Sequence, residues 1–245
     1  RGLECDKLNP AGIRAHWKHF LGPLLESLQP YTGRSFVRIQ SDSWECGSQN
    51  WTRALEDTFQ SRYGYDIIPY LPIVAGEAVE SVAESERVLT DWRLLLSDMI
   101  TRNFYATFAE LCRSRDVNLI AEMAGAQAVL SDPIANARAV SRPMTEFWSF
   151  DTKAFFLRRV HGRRGMLDGV SGAHLAGVSE IAAEAFTSGS AHFLHEPATL
   201  KPSADAGYCA GLNYYYHHAS AHQPDETQPG WNMDPWGIVL NRKLT

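Results

Sequence analysis

The chain has 245 residues, 44% of them hydrophobic and 21% charged, with 23 Lys and Arg against 28 Asp and Glu for a formal net charge of -5. That length and apolar content suit a packed globular core and exclude a disordered, collagen-like or low-complexity protein. The mild acidity comes without blocks of like charge, so a polyanionic partner such as nucleic acid is not expected, and no apolar run reaches the roughly 20 residues a membrane span needs.

From Pro10 to Leu28 the apolar residues Ile13, Trp17, Phe20, Leu21, Leu24, Leu25 and Leu28 recur at helical spacing, and Pro30 with Gly33 supplies a stop. Ser35 to Ser41 reads as a strand feeding the polar, aromatic segment DSWECGSQNW. A short helix is predicted over Thr52 to Tyr63. A turn-rich stretch with Gly64, Pro69, Pro72 and Gly76 follows, then a long helix between Ser85 and Arg115. The core stripe of that helix is Val88, Trp92, Leu95, Leu96, Met99, Ile100, Phe104, Phe108 and Leu111. Val117 to Gly125 reads as a buried strand. The alternation continues with a strand at Thr145 to Trp148, a helix from Thr152 to about Leu175 and a strand at Ser179 to Phe186. A helix near Ser203 to Gly211 and a strand at Leu212 to Ala219 complete it.

Strands alternating with helices predict an α/β fold with a parallel sheet, either a (β/α)8 barrel of the TIM type or an open doubly wound sheet. No GxGxxG or GxxxxGK[ST] loop follows any strand, which favours the barrel. Five strands are fewer than the eight that a barrel needs, and the chain starts at Arg1 and ends just after the apolar run WGIVLN. The expectation is therefore one domain, residues 1–245, forming part of an incomplete barrel. The cysteines Cys5, Cys46, Cys112 and Cys209 form no CxxC pair, so neither a zinc site nor a dense disulfide framework is expected.

Barrels work at the carboxyl ends of their strands. There the sequence sets Asp42 and Glu45 after the first strand, Glu122 at the end of the second, Glu146 in the third and Glu184 in the fourth. Carboxylates gathered at one mouth raise each other's pKa, so that a protonated acid and an ionised base can coexist. With aromatic platforms such as Trp44, Trp51, Phe147 and Trp148, that is equipment for cleaving a glycosidic bond. Any one of these glutamates taken singly is better read as serving a helix N-terminus or a salt-bridge network, whereas four at successive strand ends favour a functional role. A hard cation such as calcium would suit several acidic oxygens, yet no DxDxDG-type run is present and residue types alone favour acid and base roles. In YYYHHASAHQPD, His218 and His222 suit a polar rim that hydrogen-bonds sugar hydroxyls, and a purely structural role fits them as well. GxSxG is absent, and Cys46 beside Glu45 lacks the electropositive setting of a nucleophilic thiol.

The ordered set DKLNPAGIRAHWKHFLGPLL, SDSWECGSQNWT, RYGYDIIPYLP, MTEFWS, SGAHLAG, AAEAFTS, HHASAHQPD and PWGIVLNR resembles the catalytic barrel of the α-L-rhamnosidases of glycoside hydrolase family 106. The resemblance implies an inverting, calcium-dependent, exo-acting hydrolase that removes terminal α-L-rhamnose from poly- or oligosaccharides, with β-rich domains flanking the barrel. It also implies a periplasmic or extracellular location. Carried onto this sequence, it makes Glu45 and Glu184 the catalytic pair, assigned as general acid and general base with the exchanged roles as the alternative, and Glu146 the residue that contacts the metal or the sugar. Asp42, Trp44, Glu122, Trp148, His218 and His222 are expected to line the sugar pocket. The alternatives are a retaining barrel glycosidase on another sugar and a carbohydrate-binding barrel without turnover.

Overall fold

A computed structural model describes residues 4–44, 49–123, 131–149, 163–188 and 195–219. The chain divides into two compact units, one over Arg1–Ile39, Trp44–Leu119 and Gln127–Asp132, the other over Gln40–Ser43, Ile120–Ala126 and Pro133–Thr245.

The first unit is mainly helical. Helix α1 (Pro10–His16) starts on Asn9, whose side chain accepts from the Ala11 N–H, and has proline in its first turn where no donor is lost. It continues through a π-helical segment, Trp17–Leu21, into α2 (Gly22–Leu28). The buried stripe is Ile13, Trp17, Leu21 and Leu25, while Phe20 and Leu24, expected in the core, are exposed. Strict i+4 spacing is the reason, because the wider π turn keeps every fourth residue on one face. Helix α3 (Leu55–Tyr63) ends at Gly64, whose φ of +82° only glycine adopts without strain.

Helix α4 (Val82–Met99) is capped by Ser81, continues through a second π segment, Ile100–Ala106, and ends as α5 (Thr107–Arg113). Its stripe follows the expectation up to Ile100. Beyond it Phe108 is buried as expected, but the π segment turns the face enough that Tyr105 and Cys112 are buried where Phe104 and Leu111 were expected. Burial pushes the Cys112 thiol up to about 12. No cysteine among the described residues is paired.

The sheet has five strands in the order β1-β2-β3-β4-β5. They are β1 (Arg38–Ser41), β2 (Asn118–Glu122), β3 (Arg142–Trp148), β4 (Ala182–Thr187) and β5 (Tyr214–His217), and β2 to β5 pair in parallel. A sequential parallel order is what successive βα units build; a doubly wound sheet would reverse its order at a switch point. The fold is thus α/β with a parallel sheet, as expected. Strand β3 begins three residues earlier than the apolar run suggested, with Pro143 beside its first residue, a place a ladder tolerates proline. Helix α6 (Pro133–Ala139), unforeseen in the sequence, precedes it.

Helix α7 (Arg163–Leu175) lies close on β3 and α6: a Cβ at Gly169 would meet Thr145 Cβ at 2.9 Å, and one at Gly172 would meet Ala137 Cβ at 2.5 Å. The first part of the helix predicted from Thr152 falls outside the described residues. Helix α8 (Pro197–Ala210) starts six residues before Ser203, on a Glu196–Thr199 capping box with Pro197 in its first turn. On the helix-covered side of the sheet, Phe147, Ala183, Ala185 and Phe186 pack with Met166, Val170, Leu200 and Leu212. No helix among the described residues is long and apolar enough to cross a membrane.

Candidate functional site

Register decides which side chains share the other face. Glu122 pairs with Met144, Met144 with Ala182, Glu146 with Glu184, and Glu184 with Tyr216. Paired positions in parallel strands point the same way, and so do residues two apart on one strand. Ile120, Met144, Ala182 and Tyr216 form a small apolar layer on this face. Glu122, Glu146 and Glu184 rise from the same face, one step nearer the carboxyl ends of their strands. Asp42 directly follows β1.

The carboxylates converge. Ligand oxygens of Asp42, Glu122 and Glu184 all lie within 4.8 Å of one another. Glu122 is only 6% exposed. Burial, and then the negative charges of Glu146, Glu184 and Asp42, hold its carboxyl well above the usual carboxylate range, and a hydrogen bond with Glu146 adds to this. Glu146 also accepts from the Trp148 indole N–H at 2.5 Å. The Glu184 and His218 side chains are 17% and 21% exposed, and His218 Nδ1 lies 3.9 Å from Glu184 Oε1 and 3.0 Å from Thr187 Oγ1.

Of the residues singled out in the sequence, Asp42, Glu122, Glu146, Glu184, Trp148 and His218 therefore stand in one neighbourhood. Trp148 is 9% exposed and bound to Glu146, so its indole orients a carboxylate. Phe147, expected as a sugar platform, is fully buried on the helix-covered face, because it sits at an odd step from Glu146. Trp44 belongs to the helical unit. It is 5% exposed there, 5.3 Å from the Phe104 ring with Lys7 Nζ 4.7 Å over it. Trp51, also in that unit, is 41% exposed. Glu45 and His222 lie outside the described residues. Sequence reasoning missed Thr187, which strict alternation from Glu184 would have sent to the opposite face.

Such a face can do two things chemically. Hard oxygen donors at these separations suit a divalent cation, since ligands held at about 2.4 Å from one ion are at most about 4.8 Å apart. A protonated carboxyl beside ionised ones supplies the acid and base of a glycosidic cleavage.

The whole chain, residues 1–245, matches the family described as alpha-L-rhamnosidase. A Formosa agariphila protein named "Putative beta-glucuronidase" is 31% identical over 252 residues, which cover 100% of this chain and 20% of that protein. The solved structure of a rhamnosidase from Novosphingobium sp. PP1Y superposes with a TM-score of 0.80 at 29% identity, over 99% of this chain and 23% of that one. The chain thus spans about a fifth of the length of the curated relative it matches.

Proposed function

The chain belongs to the α-L-rhamnosidase family of glycoside hydrolases, and from that premise we propose that the full-length protein removes terminal α-L-rhamnose from poly- or oligosaccharides by an inverting, two-carboxylate mechanism with calcium assistance. The observation that carries this reading is the convergence of Asp42, Glu122 and Glu184 at one sheet face, with Glu146 joined to Glu122 behind them. Within this reading the strands are part of a (β/α)8 barrel, and the protein works in the periplasm or outside the cell, where such polymers are met.

Glu184 is the general base. Its side chain is 17% exposed, one of its oxygens lies within 4.8 Å of oxygens of Asp42 and Glu122, and it would take a proton from the attacking water. The general acid has to come from elsewhere, because an inverting pair stands about 6.5 to 9.5 Å apart and the three converging carboxylates are closer than that. Glu45, the acid expected from the sequence, fills that role in this reading. Asp42, Glu122 and Glu184 supply oxygens that would hold calcium, and Glu146, the residue expected from the sequence to serve the metal, fixes Glu122. The donor set fits the ion: all are hard carboxylate oxygens, and both the burial and the neighbouring charges that push Glu122 up are what a bound dication would offset. When bound, calcium would supply Lewis-acid contact to vicinal sugar hydroxyls.

A second reading takes support from the same separation, which approaches the roughly 5 to 5.5 Å of a retaining pair. Glu122 would then be the acid and Glu184 the nucleophile. The burial of Glu122 and its bond to Glu146 turn its proton away from a sugar, which favours the inverting reading. A uronic acid, as the name of the Formosa relative suggests for that protein, would bring a further anion to a face already crowded with carboxylates; neutral rhamnose does not. The test is turnover of an aryl α-L-rhamnoside and an aryl β-glucuronide side by side by the full-length protein. Rhamnoside cleavage alone is expected, and glucuronide cleavage alone would overturn the sugar assignment.

A further inference from the structure

Strand β4 carries one residue too many. Its pairing with β3 runs in step to Phe147↔Ala185 and resumes at Trp148↔Thr187, so Phe186 is a bulge. Phe186 has a φ of +73°, which a bulky side chain keeps only where its surroundings hold it. Its ring is held by Phe147 and Tyr215, at centroid distances of 5.2 and 5.7 Å. The consequence is a change of phase. Ala185 and Phe186 both pack under the helices, and Thr187 returns to the face that Glu184 occupies.

There Thr187, 3% exposed, places its hydroxyl 3.0 Å from His218 Nδ1. The His218 N–H of the backbone donates to the Ala185 carbonyl at 3.0 Å, which fixes where the ring starts. The same Nδ1 lies 3.9 Å from Glu184 Oε1, an electrostatic contact rather than a hydrogen bond. With its proton on Nδ1, the ring donates to Thr187 and turns its positive edge to Glu184. Glu184 needs such a hold. Its side chain has three torsions, and the neighbouring carboxylates push it away.

We propose that Thr187 and His218 are a positioning pair for Glu184, set in place by the bulge at Phe186. This rests on Glu184 acting on the glycosidic bond. The test compares variants of the full-length protein on an aryl α-L-rhamnoside. Thr187→Val keeps the shape and removes the hydroxyl; kcat is expected to fall about 10- to 100-fold, the scale of a misplaced reacting group, with KM within about two-fold. Thr187→Ser is expected to restore kcat. An unchanged kcat in Thr187→Val, or a serine variant as impaired as the valine one, overturns the pair. Where melting shows Thr187→Val unfolded, His218→Gln decides instead, with the same loss expected and an unchanged kcat as the contrary result. Glu184→Gln run alongside separates the two levels. If it keeps turnover, the function reading falls with the pair; if it is inactive while Thr187→Val behaves as wild type, the pair alone falls.

Discussion

The helical unit and the carboxylate-bearing face of the sheet treat charge in opposite ways. In the helices, Asp98 receives Arg62 at 2.9 Å and Arg102 at 2.8 Å, and Glu110 receives Arg14 at 3.2 Å. Those pairs are of opposite sign and solvated, over a buried apolar stripe that includes Phe59, Leu95 and Leu96. On the sheet, Asp42, Glu122 and Glu184 bring carboxylates within 4.8 Å, and burial, with the charges of Glu146, Glu184 and Asp42, drives the Glu122 carboxyl up. The first arrangement is what folding stability selects. The second opposes stability, and a chain keeps such an arrangement where a ligand or a reaction uses it.

Changing one residue in each region sharpens that contrast. The largest effect is expected for Glu184→Gln in the full-length protein. Loss of the base lowers kcat/KM on an aryl rhamnoside by about 10² to 10⁴, while the melting temperature holds or rises, since one of the crowded charges is gone. A melting temperature that drops sharply would mean that the carboxylates support the fold. Phe59→Ala, at a fully buried position of the helical unit, should do the converse. Urea unfolding is expected to show a loss of about 3 to 5 kcal/mol, with activity per folded molecule retained.

Glu122 offers a pH test of intermediate size. Its folded-state pKa lies above the unfolded one, so the stability it contributes is full below an unfolded carboxyl pKa of about 4.3 and is lost as pH rises through the folded value. Calorimetry with a chelator present should therefore find Glu122→Gln melting above wild type at pH 7, with the difference vanishing near pH 4. Equal melting at both pH values would break the account of a strained face. The smallest effect belongs to Arg14→Ala, which removes an exposed pair with side chains 52% and 63% accessible. It should cost under about 1 kcal/mol, and less in high salt.

Periodicity made the long helices and all five strands legible in the sequence, because each carries an apolar pattern long enough to read. What escaped was anything that breaks a period. The π segments moved Phe104 and Leu111 off the core, Pro143 hid the start of β3, and Pro202 hid the first turns of α8. Helix α6, with seven residues, is too short to show a stripe. The same rule governs the site. Asp42, Glu122, Glu146 and Glu184 were readable because strand ends locate them, whereas Thr187 reaches its place through a bulge that no alternation foretells. Trp148 was visible as an aromatic residue, but its bond to Glu146 depends on tertiary placement.

Inverting cleavage assisted by a cation at the crowded carboxylates can be read out by NMR of the sugar first released when the full-length protein hydrolyses an aryl α-L-rhamnoside, with and without a calcium chelator. The expected first product is β-L-rhamnose, with turnover lost on chelation and restored by added calcium. Release of the α anomer, or turnover indifferent to the chelator, would contradict this reading.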